Sequence, residues 1–352
     1  MGRKRIILVT GVGGSAGNNF IRSLRLATEN FYIVGTDMSK YYIHLSRADK
    51  NYISPSCNSK DYLPFLNSII KKEKIDFIHS QPDTEVQVLS DNRETIPVRT
   101  MLPSKKAIKL AFHKLNLSAH LREYGVPAPY SLYIGSWKDL KKAIEILESR
   151  GNKRFWLRAI KGAGSRASLP VENYEHADMW IDYWQTMKDV GWGEFMLSEF
   201  LPGKEYAFQS IWKDGELITS QARERLAYLF GSRMPSGQSS SPTIAKTVSN
   251  DRVNETSVAG IRVLDDKPNG IYCVDLKENK DGIPCITEIN AGRFFTTSIF
   301  FSTAGVNMPY MYVKSAFDEP LPLVQKFNPL PEGLHWIRQM DMQERLIREE
   351  EI

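Results

Sequence analysis

Asp281-Gly282 lies between two runs of β-type residues, "GIYCVDLK" (270–277) and "PCITEIN" (284–290), and this pairing constrains the chain more than any other feature. Asp-Gly between such runs is a strong two-residue hairpin signal. With that turn Asp275 stands directly opposite Glu288, and directly opposed residues have Cβ atoms about 4.5–5.5 Å apart. Asn290 lies two residues beyond Glu288, so it shares that face. Three oxygen-bearing side chains thus converge on one face of one hairpin. Facing carboxylates repel unless something neutralises them. Oxygen ligands of this kind suit a hard cation, Mg²⁺ or Mn²⁺, bound through a few carboxylates plus phosphates. An exposed polar hairpin face would carry the same residues, so the rest of the chain has to decide.

The first hundred residues alternate strand and helix. "RIILVT" (5–10) reads as a buried parallel strand, "GVGGSAG" (11–17) as a glycine turn and "NNFIRSLRLATE" (18–29) as a helix. "YIVGTD", "YLPFLNSIIKKEK" and "IDFIHSQPD" continue the pattern until it fades near 97–104. This predicts an α/β unit with helices on a parallel sheet. One helix is expected from the cap Ser104 to the stop at Gly125, where "GVPAP" follows. From residue 130 short strands dominate, with helices near 137–150 and 174–189, which predicts an α+β unit of antiparallel sheet. "GSRMPSGQSSSP" (231–242) reads as a mobile loop of the kind that acts as a lid. The tail "EGLHWIRQMDMQERLIREEEI" reads as a strand running into a charged helix.

Bulk properties narrow the function. The chain has 352 residues and a net charge of +5, which suits an anionic ligand and is too small to argue for nucleic acid. The basic stretch "SKKAIKLAFHK" has helical spacing and reads as a solvated face. Cys57, Cys273 and Cys285 form no CxxC and no zinc spacing, and a reduced, cytoplasmic compartment is expected. No apolar run approaches the roughly 20 residues that span a bilayer. "IILV" is too short for a signal peptide, and Ile6 stands where a myristoylation signal needs Ser or Thr. No nucleic-acid or membrane partner is expected, and a homo-oligomer is left open.

The spacing of Asp275, Glu288 and Asn290 resembles the metal-binding hairpin of ATP-grasp ligases, and "TEINAGRFFTT" is closest to carbamoyl phosphate synthetase large-subunit-like proteins. Three further motifs resemble the family in the same order, over about residues 104–315. "HKLNLSAHLREYGVPAP" resembles the helix that begins with a phosphate-contacting lysine, here Lys114. "FWLRAIKGAGSRAS" resembles the strand and glycine-rich flap over the phosphates, with Arg158 in the strand and Lys161, Gly162, Gly164, Ser165 and Arg166 in the flap. "LSEFLPGKEYAF" resembles the hinge around adenine and ribose. There Glu199, Phe200 and Leu201 would face adenine, and Glu205 the ribose hydroxyls.

The resemblance implies an α/β Rossmann-like pre-ATP-grasp domain (1–102), followed by an α+β ATP-grasp domain (103–318) of two subdomains. These are a flap subdomain at about 126–196 and a metal-hairpin subdomain at about 197–318, with 319–352 as a C-terminal extension. It also implies ATP and Mg²⁺ as cofactors. The activity implied is activation of a small-molecule carboxylate as an acyl phosphate, then transfer to an amine-type acceptor with release of ADP and phosphate. Arginines near "QARERL" (Arg223, Arg225) and Arg293 stand where the family holds the carboxylate or acyl phosphate, with Arg225 and Arg293 the expected catalytic pair. The sequence departs from the family in three places. "NAGR" is one residue longer than the usual "NPR", Cys273 replaces an arginine found in some ligases, and His113 stands where an Asp often precedes the lysine.

Two other readings compete. "GVGGSAG" after a strand and before a helix, with Asp37 twenty residues beyond Gly17, is a dinucleotide-binding signature. It supports an NAD(P)-dependent oxidoreductase or epimerase, helped superficially by Tyr310-x-x-x-Lys314. A nucleotide sensor that never turns ATP over is the other, though two carboxylates needing neutralisation argue against it. "GGSAG" also matches the hydrolase nucleophile elbow, without an acid and base of obvious role nearby. The phosphate-loop, HExxH and kinase catalytic-loop patterns are absent.

Overall fold

The computed structural model describes residues 4–162, 167–239, 241–340 and 345–351. The chain opens with β1 (Arg5–Thr10), α1 (Ser15–Arg25), β2 (Phe31–Asp37), β3 (Lys50–Ile53), α2 (Tyr62–Glu73), β4 (Phe77–Ser80) and α3 (Asp83–Asp91). The strands form a parallel sheet in the order β3-β2-β1-β4. Ile7, Leu8 and Val9 of β1 are wholly buried, as a strand covered on both faces requires.

Two helices follow, α4 (Lys105–Ala111) and α5 (Lys114–Glu123), where one had been expected. Ser104 caps the first as predicted, its hydroxyl accepting from Ala107 N at 3.2 Å. The chain breaks at His113, which is extended and whose Nδ1 accepts from Asn116 N at 3.3 Å. Helical spacing runs through both segments, so periodicity did not reveal the new cap. The break puts Lys114 in the first turn of α5 and buries it.

A four-stranded antiparallel sheet comes next, ordered β5-β8-β6-β7, from β5 (Ser131–Ile134), β6 (Phe155–Ala159), β7 (Leu169–Val171) and β8 (Phe195–Glu199). It is covered by α6 (Trp137–Ser149) and α7 (Tyr174–Lys188), whose Leu140, Leu147 and Ile181 are wholly buried in the core they share. The central seven-stranded sheet holds β9 (Glu205–Lys213), β10 (Glu216–Tyr228), β11 (Pro242–Val248), β12 (Gly270–Glu278) and β13 (Pro284–Ala291). Between β11 and β12 lies α8 (Asp251–Leu264), a helix missing from the strand-rich expectation. Gly260 on it has no room for a Cβ, which would sit 2.3 Å from Ile286 Cδ1. Then come α9 (Ser298–Thr303), α10 (Met308–Ala316), β14 (His335–Ile337) and β15 (Arg345–Ile347).

The sheet order is β13-β12-β9-β10-β11-β14-β15, so the tail extends the central sheet by two strands. The charged helix expected there is not formed among the described residues, where Glu349–Glu351 is one 3₁₀ turn. The N-terminal sheet packs on this body through aromatic rings. His79 of β4 stacks on Phe20 at 4.1 Å and meets Phe294 and Tyr312 edge-on. Burial pushes the His79 imidazole down to about 3, so it stays neutral in this contact.

Candidate active site

The β12–β13 hairpin pairs Asp275 with Glu288 as expected, by a different route. Pairing ends at Glu278 opposite Pro284, so the connection is the five residues 279–283 and not a two-residue turn. Asn279 organises it: its side-chain oxygen accepts from Asp281 N and Ile283 N, and Gly282 adopts φ +72°. That loop alone would put Thr287 opposite Asp275. A β-bulge at this point, with Thr287 as the extra residue, restores Glu288 to that position. The bulge also has a use, since the carbonyl of Thr287 accepts from Arg158 Nη2 at 2.9 Å. Arg158 comes from β6, so this bond ties the four-stranded sheet to the hairpin.

The hairpin face lines a cavity of about 380 Å³. At one end stand Ser198, Glu199, Phe200 and Leu201, the segment between the two antiparallel sheets, with Glu205 and Lys277. In the middle are Lys114, Arg158, Gly162, Asp275, Glu288 and Asn290. At the far end Ala16, Gln81, Pro82 and Asp83 of the N-terminal unit meet Arg223, Arg293 and Thr296. Thus the described residues named from the four sequence motifs share one cavity, except Lys161. Lys161 is exposed and does not line it. Gly164, Ser165 and Arg166 lie outside the described residues.

Most charges within the cavity are paired. Arg225 forms an ion pair with Asp275, and Lys114 stands 3.6 Å from Glu288 while donating to the carbonyl of Gly162. Burial would raise the Glu288 carboxyl, but Lys114, Arg158, Arg293 and Arg225 together hold it below the usual carboxylate range. Burial pushes the Asp275 carboxyl up although Arg225 opposes it, so Glu288 is the more acidic of the facing pair. Glu288 accepts no hydrogen bond among the described residues. Asn290 Nδ2 donates to Asp275 Oδ2 at 3.3 Å, and its Oδ1 accepts from Arg293. The neutralisation assigned to a metal is therefore shared by an arginine and a lysine. Among the described residues no three His, Cys, Asp or Glu side chains form a metal cluster. The donor set at the hairpin is two carboxylates and an amide.

Arg225 and Arg293, expected on the acyl-phosphate side, each carry a carboxylate partner from this chain. For Arg293 it is Asp83 at the start of α3, held through Nε and through Nη2 at 3.0 Å. The sequence reading missed Asp83. The signal was present: "QPD" ends a parallel strand, and ligands in such sheets bind at the carboxyl ends of strands. Glu205 also has more partners than expected. Its oxygens accept from Lys277 and Tyr228, each at 2.6 Å, and from Gln238. Gln238 and Ser239 of the 231–242 segment line the cavity, which puts that segment beside Glu205.

The glycine turn is built differently. Asp37 Oδ2 accepts from Gly13 N at 2.8 Å and its Oδ1 from Ser39 N at 2.9 Å, so one oxygen serves the turn and the other the segment after β2. A Cβ on Gly13 would meet Tyr42 Cβ at 2.7 Å, so the segment after β2 covers the turn. Tyr310 and Lys314 lie on α10, where Lys314 pairs with Glu319 at 3.3 Å. The oxidoreductase reading finds no support here.

Residues 7–100 match the family of PylC-like N-terminal domains. No curated protein matches the chain. Solved structures match over nearly all of it at low identity. Carboxyaminoimidazole ribonucleotide synthase from Aspergillus clavatus, complexed with ATP, is 17% identical with a TM-score of 0.69, covering 95% of this chain and 81% of that one. L-amino acid ligase from Bacillus licheniformis is 11% identical with a TM-score of 0.70, over 96% and 79%. Biotin carboxylase from Campylobacter jejuni, in a complex with an ATP analogue, is 15% identical with a TM-score of 0.70, over 95% and 75%. The fold is the ATP-grasp fold: a parallel-sheet domain followed by two antiparallel sheets with a cavity between them.

Proposed function

We propose that the chain is an ATP- and Mg²⁺-dependent ligase that activates a carboxylate as an acyl phosphate and passes the acyl group to an amine-type nucleophile. The observation that carries this reading is the hairpin face. Asp275, Glu288 and Asn290 share one cavity with Lys114, Arg158, Arg225 and Arg293, and with the segment 198–201. The solved structures of similar fold add support, since their names include ligases and their complexes include ATP.

In this reading a carboxylate oxygen attacks the γ-phosphorus and the bond to the bridging oxygen breaks, so ADP leaves. The nucleophile then attacks the acyl carbon and loses a proton, and phosphate leaves. Positioning and electrostatics supply most of the acceleration, because charge develops on the transferring phosphoryl group. Glu199, Phe200 and Leu201 face adenine, and Glu205 reaches the ribose hydroxyls. Lys114 and Arg158 neutralise phosphate oxygens, with Lys161, Gly162, Gly164, Ser165 and Arg166 as the flap. Arg225 and Arg293 face the acyl phosphate. The donor chemistry fits a hard cation: Glu288 and Asp275 would hold Mg²⁺ with Asn290, and the ion would neutralise charge between the phosphates. The working units are 1–102 and 103–318, with the extension 319–352 adding two strands to the central sheet of the second, and the compartment is the cytoplasm.

The test is ADP release from Mg·ATP across a panel of carboxylate–amine pairs, with and without EDTA. Release that needs Mg²⁺ and rises with a carboxylate supports the ligase reading. Hydrolysis that no carboxylate or amine alters would point to the nucleotide-sensor reading instead.

A further inference from the structure

Glu205 holds three donors, and one of them is unlike the others. Its Oε1 accepts from Lys277 Nζ at 2.6 Å and from Gln238 Nε2, and its Oε2 accepts from Tyr228 Oη at 2.6 Å. Lys277 and Tyr228 stand on β12 and β10, whose backbones are fixed in the central sheet. Gln238 stands on neither strand, but on the connection between β10 and β11. Burial would raise the Glu205 carboxyl, but Lys277, Tyr228 and Arg225 hold it below the usual carboxylate range, so it stays a charged acceptor. A carboxylate oxygen offers about two lone-pair sites. Oε1 is therefore full, and Oε2 has room for one more donor.

Little else holds this connection to the body. At its base Leu229 N donates to Ser241 O at 2.9 Å, and its other backbone bonds close on itself: Arg233 N donates to Phe230 O, Met234 N to Gly231 O and Gly237 N to Met234 O. Ser236 and Ser239 likewise donate to Gln238 O and Ser241 O. Among the described residues, the bond from Gln238 to Glu205 is the one side-chain hydrogen bond between 230–239 and the rest of the chain. Phe230 takes left-handed backbone at φ +55°, which costs an L residue with a side chain. The segment thus rests on one contact and carries strain near its start. Gln238 and Ser239 line the cavity, while 232–235 are exposed.

We infer that Gln238 is a specificity-determining residue for the nucleotide: its amide takes on Glu205 the place of a ribose hydroxyl, and the diol of a ribonucleotide displaces it and lifts 230–239 from the cavity. The inference rests on the ligase reading, which brings ribose to Glu205, and goes beyond it by naming what ribose replaces and which way the segment moves. A vicinal diol donates two hydrogen bonds, and the free site on Oε2 takes one of them. The second needs a site on Oε1, where Gln238 is the neutral donor and Lys277 carries the charge that balances the carboxylate. A nucleotide without ribose hydroxyls leaves the contact in place. The closed segment lowers apparent affinity for a ribonucleotide, because only the fraction of molecules with Glu205 freed is competent. It is a strap that the nucleotide opens, not a lid that the nucleotide closes.

Limited trypsin digestion of the full chain, read by mass spectrometry at the exposed Arg233 with calorimetry beside it, tests this. The ligands are ADP and its dideoxyribose analogue, which lacks both ribose hydroxyls, each with Mg²⁺. In wild type ADP speeds cleavage after Arg233 by at least about threefold, and the dideoxy analogue leaves it within about twofold. Gln238→Ala is cleaved at the fast rate without nucleotide, and ADP adds less than about twofold. The same variant binds ADP at least about threefold more tightly, the order expected when one competing hydrogen bond is removed, and binds the dideoxy analogue as wild type does. Affinity for both nucleotides rising alike in Gln238→Ala would show a merely steric role and overturns the inference. ADP that slows cleavage, or that binds wild type and leaves cleavage unchanged, also overturns it while the ligase reading stands. Neither nucleotide bound by wild type or by Gln238→Ala overturns both.

Discussion

The glycine turn at 11–17 and the hairpin at 273–292 make similar offers in the sequence and opposite ones in the structure. Each sets an acid beside glycine or backbone groups that could serve a ligand. In the turn, Asp37 gives both oxygens to Gly13 N and Ser39 N, and Tyr42 covers the loop. Its acid completes a fold. In the hairpin, Asp275 and Glu288 face a cavity under four cationic side chains, and Glu288 accepts no hydrogen bond among the described residues. Asp275 is held by Arg225 and Asn290, and Glu288 keeps its lone pairs for the cavity. The difference lies in where the lone pairs go, which a glycine pattern alone does not disclose.

That contrast can be broken by substitution. Glu288→Gln should leave a folded protein whose ATP turnover, read as ADP release, falls by at least about 10², the order expected when a ligand of a metal site is altered. Unimpaired turnover would remove the hairpin from the chemistry. Asp83→Asn keeps the shape but takes the charge from the partner of Arg293. It should lower kcat by about tenfold or more, the size of a charge-assisted bond, while calorimetric affinity for an ATP analogue holds. A fall in nucleotide affinity alone would relocate Arg293 to the nucleotide. Asp37→Ala should act on stability only, by about 1–3 kcal/mol in denaturant midpoints, because it leaves two backbone N–H groups without acceptors. A loss of nucleotide binding there would revive the turn as a site. Ser104→Ala should cost about 1 kcal/mol in the same measurement through loss of a helix cap, with activity intact.

Local signals carried much of this fold. The strand–helix alternation of 5–80, the cap at Ser104 and the two helices near 137–150 and 174–189 were legible because hydrophobic period and capping act over a few residues. The hairpin shows the limit. Asp275 was placed opposite Glu288 from a two-residue turn, whereas the chain uses a five-residue loop and recovers the pair through a bulge at Thr287. The reason for the bulge, Arg158 from another sheet, lies 129 residues away in sequence. Asp83 was missed for the same reason, since its partner Arg293 is 210 residues distant. Arg223 and Arg225 look alike in "QARERL", and only the assembled core shows that Arg225 meets a carboxylate and Arg223 three aromatic rings. The break at His113 escaped because helical spacing continues across it.

The central claim is that the hairpin, and not the glycine turn, is the nucleotide site. Calorimetric titration of the purified chain with a non-hydrolysable ATP analogue, with and without Mg²⁺, beside NAD⁺ and NADPH, tests it most directly. The account predicts Mg²⁺-dependent binding of the ATP analogue, lost in Glu288→Gln and kept in Asp37→Ala, with no heat from either nicotinamide nucleotide. Binding of NAD⁺ or NADPH that Asp37→Ala abolishes, with no response to the ATP analogue, would contradict it.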